Sequence, residues 1–259
     1  MNYELLIDTA ALAGEIMLYS GAETYRVEDT MRHILNTSES KDIESLVLMT
    51  GLMVSLGGKN LKRITAIKRV KHTGTNLGNV VQVNDISRRF CNDEIKLEEA
   101  YKELMDIKKN HYSELIYSIA TIVAVVGFSL MFGGGFYEFG VAIVVGTLLA
   151  IILKGAKKIG INIFIRDCFA SICITCVTIL CKAYLVHQVD VDIVIIGAIM
   201  PLVPGVAITN AVRDTLQGDY ISGVARVLEA FLVASAIALG VGIGMALLSN
   251  MITWGGIVA

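Results

Sequence analysis

The sequence predicts a membrane α-helical protein. A cytoplasmic α+β domain over residues 1–112 is followed, over residues 113–259, by five transmembrane helices. The fourth helix is broken at a Pro-x-x-Pro-Gly segment. Three observations carry this reading. Mean hydropathy is +0.65 and 54% of residues are hydrophobic, well above the level of soluble domains. Charge is unevenly placed, with 31 of the 46 charged side chains in residues 1–112. The remainder divides into five apolar runs separated by polar links. A net charge of −2 favours neither nucleic acid nor an acidic surface as partner.

In the first region, "YELLIDTAALAGEIMLYSG" reads as a helix closed by Ser20 and Gly21, because glycine caps helix C-termini cheaply. "AETYRVEDTMRHILN" reads as a second helix, with Val27, Met31, Ile34 and Leu35 on one stripe. "IESLVLMTGLMVSLGG" and "RITAIKRV" are β-rich runs broken by glycine and predict two or three strands. "NLGNVVQVNDISRRF" and "LEEAYKELMDIKK" return to helical spacing.

The spans are expected at about 114–133, 137–154, 165–186, 191–212 and 225–250. Residues 115–132 are 18 uncharged residues, enough to cross a ~30 Å hydrocarbon core. Trp254, in the tail after the fifth span, suits an interface. Lysine and arginine set the orientation. The first region carries 15 of them. Lys154, Lys157, Lys158 and Arg166 lie in the link between spans two and three, and Arg213 and Arg226 in the link between spans four and five. The alternate links, "GGGFYE" and "VHQVD", carry none, although Lys182 is near the end of span three. The expected placement is a multi-pass protein of the plasma (cell inner) membrane, N-terminus cytoplasmic and C-terminus extracytoplasmic. The N-terminus has no basic region or cleavage site of a secretory signal. The spans carry no internal repeat, so an inverted repeat would have to involve another chain.

Both prolines, Pro201 and Pro204, sit in the fourth run. Proline removes a backbone donor and clashes one turn back, at a cost of ~3 kcal/mol in a helix interior. "PLVPG" is therefore expected to split the span near the bilayer midplane. A half-helix starting near Gly205 would aim unpaired N–H groups at an anionic substrate. The candidate substrate-binding residues are Pro204, Gly205, Val206, Thr209, Asn210, Arg213 and Asp214. Asn210, Arg213 and Asp214 share one face at i, i+3 and i+4. Pro201, Asp219, Arg226 and Glu229 are assigned gating or structural roles, with Arg226 pairing with Glu229 or with Asp214. A simple packing kink is the competing reading of the prolines. Lys182, Asp190 and Asp192, beside the external link, read as solvated.

Span five repeats small residues at Ala236, Gly240 and Gly244, a seam suited to close helix packing and offered to an assembly partner. Cys168, Cys173, Cys176 and Cys181 spread around one helix and do not converge on a metal. There is no P-loop, HExxH or nucleophile elbow, so neither cofactor, metal nor catalytic residue is expected.

Three stretches, "SGAETYRVEDTMRHI", "NLGNVVQVNDISRRF" and "PLVPGVAITNAVRDTLQGDYISGVARVLEA", resemble the threonine/serine exporter family over nearly the whole chain. The family motif falls on Gly21, Glu23, Arg26, Pro204, Gly205, Asn210, Arg213, Asp214 and Asp219. In that family one-chain members fuse this unit to a second, smaller multi-span unit, and split members make the two separately. The resemblance implies the larger half of a split exporter, similar to succinate exporter subunits, whereas fused members are associated with threonine and serine. It implies a second smaller membrane subunit and/or a homo-oligomer as partner, and a carboxylate-bearing substrate. The alternatives are a membrane-tethered hydrolase and a regulatory membrane scaffold. Glu23, Glu28, Asp29 and His33 do not form an acid–base constellation, because Glu23 and Glu28 diverge on a helix and Asp29 and His33 are an ordinary surface pair.

Overall fold

The computed structural model describes residues 2–38, 40, 42–58, 61–71, 74–109 and 113–248. Trp254 and the expected end of span five lie outside the described residues. The chain forms two compact units, Met1–His111 with Gly205–Glu229, and Tyr112–Pro204 with Ala230–Ala259.

The first unit is built on helix α1 (Tyr3–Tyr19), which is apolar nearly all round and buried over most of its length. Only a stripe at Glu4, Asp8, Glu15 and Tyr19 reaches the surface, so the helix needs cover on its remaining faces. It is packed by α2 (Thr24–Leu35), α3 (Leu77–Cys91), α4 (Leu97–Lys109) and a three-stranded sheet. The strands are β1 (Asp42–Leu48), β2 (Gly51–Gly58) and β3 (Leu61–Arg69), antiparallel in the order β1-β2-β3. The core joins Leu6, Met17 and Leu18 of α1 to Met31 and Leu35 of α2, Leu56 of β2 and Leu104 of α4. Gly21 closes α1 at φ +81. A Cβ there would also lie 2.7 Å from the Gly74 carbonyl oxygen, so glycine is required twice over.

The same unit takes in α9 (Gly205–Leu216) and the first turns of α10 (Tyr220–Leu247). One side of α9, at Asn210, Ala211 and Asp214, is buried. The opposite side exposes Ile208, Val212 and Leu216.

The second unit holds α5 (Glu114–Met131), α6 (Phe136–Ile159), α7 (Ile163–Tyr184), α8 (Val191–Ile199) and the later part of α10. Its core includes Val125, Val145, Leu149, Ile174, Val194 and Ile237. Among the described residues, α5, α6, α7 and α10 are each long and apolar enough to cross a membrane, and the chain over Val191–Leu202 and Gly205–Leu216 passes the same test as a bent pair. Glu138, on the first turn of α6, accepts the N–H of Gly135 at 2.7 Å and the N–H of Asp190 at 2.8 Å. One carboxylate thus ties the α5–α6 link to the α7–α8 link, so these two links lie at the same end of this unit. Asp190 caps α8, accepting from Asp192 and Ile193, and is not merely solvated.

The small-residue seam of α10 is used within the chain. Ala236 is fully buried, a Cβ on Gly240 would run into the Cys168 carbonyl and Ser171, and one on Gly244 would meet Thr175 Cβ at 2.7 Å. The expectation that this seam is offered to an assembly partner is therefore corrected, since α7 already occupies it.

Candidate functional site

The proline stretch ends one helix and starts the next. A residue before proline is pushed out of the α region, and Val203 is extended at φ −61, ψ 129. α8 stops at Ile199, a 3-10 turn covers Met200–Leu202 with Pro201 inside it, and α9 begins at Gly205 directly after Pro204. Gly205 and Thr209 are exposed and Val206 is half-buried, so the first turn of α9 is accessible. The Thr209 hydroxyl turns back on the Gly205 and Val206 carbonyls at 3.1 Å each.

One turn on, the polar residues are engaged with the loop between α1 and α2. Asn210 donates its side-chain N–H to the Gly21 carbonyl at 2.8 Å. Asp214 is fully buried and has three donors. Its Oδ1 accepts the Thr24 N–H at 3.1 Å and the Thr24 hydroxyl at 2.8 Å, and its Oδ2 accepts Arg226 Nε–H at 2.8 Å. Arg226 also donates to the Ala22 carbonyl at 2.9 Å. Of the two partners expected for Arg226, it takes Asp214. Arg213 reaches outward and pairs with Glu23, which also faces Arg26 at 3.7 Å. Asp219 lies 3.0 Å from the Thr24 hydroxyl. Glu229 is half-buried.

These contacts set the electrostatics of the loop. Burial works to raise the Glu23 carboxyl, but its own backbone N–H, the Arg213 hydrogen bond and the two guanidinium charges outweigh it and hold it below the ordinary range. Glu28 shifts upward. Burial is the main cause and the Asp219 charge adds to it, against the Val47 N–H that Glu28 accepts at 3.0 Å and the Arg32 charge.

The structure thus gathers Asn210, Arg213, Asp214, Asp219 and Arg226 around the α1–α2 loop, and leaves Pro204, Gly205, Val206 and Thr209 at the head of α9. Thr24 was not singled out by sequence reading, although it sits inside "SGAETYRVED" beside Glu23. A neutral hydroxyl leaves no charge pattern to follow. Glu138 was missed because it begins an apolar run and looks like a boundary charge. All five cysteines are free. No group of three or more His, Cys, Asp or Glu among the described residues is placed to hold a metal ion.

Residues 8–248 match the family described as "Putative threonine/serine exporter". The chain is 19% identical over 248 residues to the "Probable threonine/serine exporter" of Mycobacterium tuberculosis (strain ATCC 25618 / H37Rv), an alignment that covers 95% of this chain and 46% of that protein. The chain therefore spans about half the length of this curated relative. No solved structure matches. With the match running from α1 to the end of α10 and four or five helices of membrane length among the described residues inside it, this is a multi-pass membrane protein that belongs to the threonine/serine exporter family.

Proposed function

We propose that the chain is a subunit of a secondary-type exporter that moves small carboxylate-bearing metabolites out across the cytoplasmic membrane. The substrates are threonine or serine, or a dicarboxylate such as succinate. The observation that carries this reading is the family match over residues 8–248. The accessible first turn of α9 supports it, because Gly205, Val206 and Ala207 start a helix just after a proline break, and such a start favours a carboxylate. Val191–Leu202 and Gly205–Leu216 are then the two halves of the broken fourth span.

On this reading Gly205, Val206 and Thr209 meet the substrate. Arg213, whose side chain is 59% exposed, attracts anions and can exchange its Glu23 partner for a substrate carboxylate. Asn210, Asp214 and Arg226 hold α9 and the start of α10 on the α1–α2 loop. The relative has more than twice the matched length, and we propose that a second, smaller multi-span subunit and/or a further copy of this chain completes the transporter. Residues 1–112 face the cytoplasm and a gradient of protons or another ion drives export.

The test is exchange of labelled threonine, serine and succinate by the full chain in proteoliposomes, alone and with the smaller subunit. Exchange of at least one of them is expected. Exchange of none, with either preparation, overturns the exporter reading.

A further inference from the structure

α7 carries Asp167, Ser171, Thr175 and Thr178 at i, i+4, i+8 and i+11, a single face of the helix. All four are fully buried at 0% exposure. Several hydroxyls in the helices of this unit turn back to the carbonyl one turn earlier: Thr121 to Tyr117, Ser129 to Val125, Thr147 to Ile143 and Thr178 to Ile174, at 2.7–2.9 Å. Ser171 Oγ and Thr175 Oγ1 do not, and neither has a hydrogen-bond partner among the described residues. Asp167 Oδ2 has none either, while its Oδ1 accepts Arg166 Nε–H at 2.7 Å. Three unpartnered polar atoms therefore follow one another along a helix in an apolar unit, where each costs free energy unless it has a ligand. α10 forms the facing wall, with Gly240 against Ser171 and Gly244 against Thr175.

We infer that Asp167, Ser171 and Thr175 form a proton-binding site and the start of a proton path along α7, which couples the proton gradient to export. The coupling role rests on the exporter reading, whereas proton binding does not. The proton arrives from water and forms an O–H bond on Asp167 Oδ2, turning the carboxylate into a neutral acid. Arg166 keeps its charge and its bond to Oδ1. Ser171 and Thr175, each able to donate and to accept, stand one and two turns on; at about 6 Å along the axis per step they are too far apart for a direct hydrogen bond, so the proton passes from one oxygen to the next through an intervening water.

A metal ion fits less well. Oxygens at successive turns are about 6 Å apart along the axis, and a hard cation needs several of them converging within about 2.0–2.6 Å. Of the charged groups on the elements packed around Asp167, Arg166 is its ion-pair partner on α7 and Lys182 lies at the far end of that helix. On α6, Glu138 serves two backbone N–H groups, Lys154 pairs with Glu114 at 3.3 Å, and Lys157 and Lys158 lie in the last turn. α8 carries Asp192 in its first turn, and α10 carries no charge over residues 230–247.

The test uses purified full-length protein and infrared difference spectra across a pH titration. A protonated-carboxyl C=O band is expected in the wild type, lost in Asp167→Asn, and moved in Ser171→Ala/Thr175→Val, which keeps the carboxyl. The double variant also covers the case in which Asp167→Asn fails to fold. Identical bands in the wild type and both variants overturn the proton site. In proteoliposomes, Asp167→Asn should keep substrate exchange and lose accumulation driven by a pH gradient. Unchanged accumulation overturns the coupling role. A titrating Asp167 band in a protein that transports none of the three substrates leaves proton binding standing and removes the exporter reading with the coupling built on it.

Discussion

Arg226 donates its Nε–H to Asp214 across 2.8 Å, with the arginine 3% and the aspartate 0% exposed. A pair this deep is fixed by its surroundings, because either partner left alone is an uncompensated buried charge. Removing one member of such a pair typically costs about 3–5 kcal/mol. Arg226→Met and Asp214→Ala should each lower the unfolding temperature strongly, and Arg226→Met/Asp214→Ala should lower it by less than the sum of the two. Thermal unfolding of the full chain in detergent measures this, and strict additivity would show that the two do not act as a pair.

Glu23 and Glu28 should give opposite pH signatures. Glu23 is held below its ordinary value, so its contribution to stability is present above that ordinary value and is lost as pH falls through the lower folded one. Glu28 is shifted upward, so its contribution is full below the ordinary value and is lost as pH rises through the folded one. Glu23→Gln should therefore flatten the acid limb of the stability curve. Glu28→Gln, whose amide oxygen still accepts from Val47, should raise the unfolding temperature at neutral pH. Denaturation curves between pH 3 and pH 8 read both.

Filling the α10 seam should damage the fold and leave assembly as it is. Gly244→Val places a side chain against Thr175, where a Cβ alone would come within 2.7 Å of its Cβ. Overpacking of this kind costs about 1–3 kcal/mol. A lower unfolding temperature at unchanged oligomeric mass, from light scattering, is the expected result. A change of mass without a change of stability would return the seam to the partner.

At the helix break, Pro204→Ala should let the helix close across residues 203–205 and remove the accessible donors at the head of α9. Export should fall strongly while membrane insertion stays normal. Arg213→Gln should raise the substrate concentration needed, and Arg213→Lys should retain much of the rate if charge alone matters. Wild-type export by both Pro204→Ala and Arg213→Gln would place the site elsewhere.

The Glu138 tie places the α5–α6 and α7–α8 links at one end of their unit. In a cysteine-free background, Tyr137→Cys and His187→Cys should react with an impermeant reagent from the same side, and Ile161→Cys from the other. Labelling of Tyr137→Cys and His187→Cys from opposite faces would break this arrangement.

The elements of the first region were readable because each carries its own period. The stripe of Val27, Met31, Ile34 and Leu35 is all buried on α2, and the glycine-broken β-rich runs became three antiparallel strands. The helix end at Ile199 and the new start at Gly205 follow a local rule, because proline acts on its immediate neighbours. The partners of α9 were not. Hydropathy groups residues 205–212 with the apolar spans, but Asn210 and Asp214 bond to Gly21 and Thr24, about 190 positions away in the chain. A one-dimensional pattern holds no record of such a meeting. The face of Asp167, Ser171 and Thr175 was hidden for a different reason, since hydroxyls in an apolar helix are common and only side-chain placement reveals which of them lack a partner.

The Thr24 hydroxyl has a single proton and two claimants, Asp214 Oδ1 at 2.8 Å and Asp219 Oδ2 at 3.0 Å. The contest is unequal. Asp214 has no route to water, whereas Asp219 is only half-buried and can be solvated instead. The proton belongs with Asp214, and Asp219 is left between a second carboxylate and the upward-shifted Glu28. Crowded by like charge and dependent on solvent, the Gly218–Asp219 corner is where the α9–α10 hairpin should let go first. Thr24→Ser keeps that rivalry, and Thr24→Val ends it by disarming both sides at once.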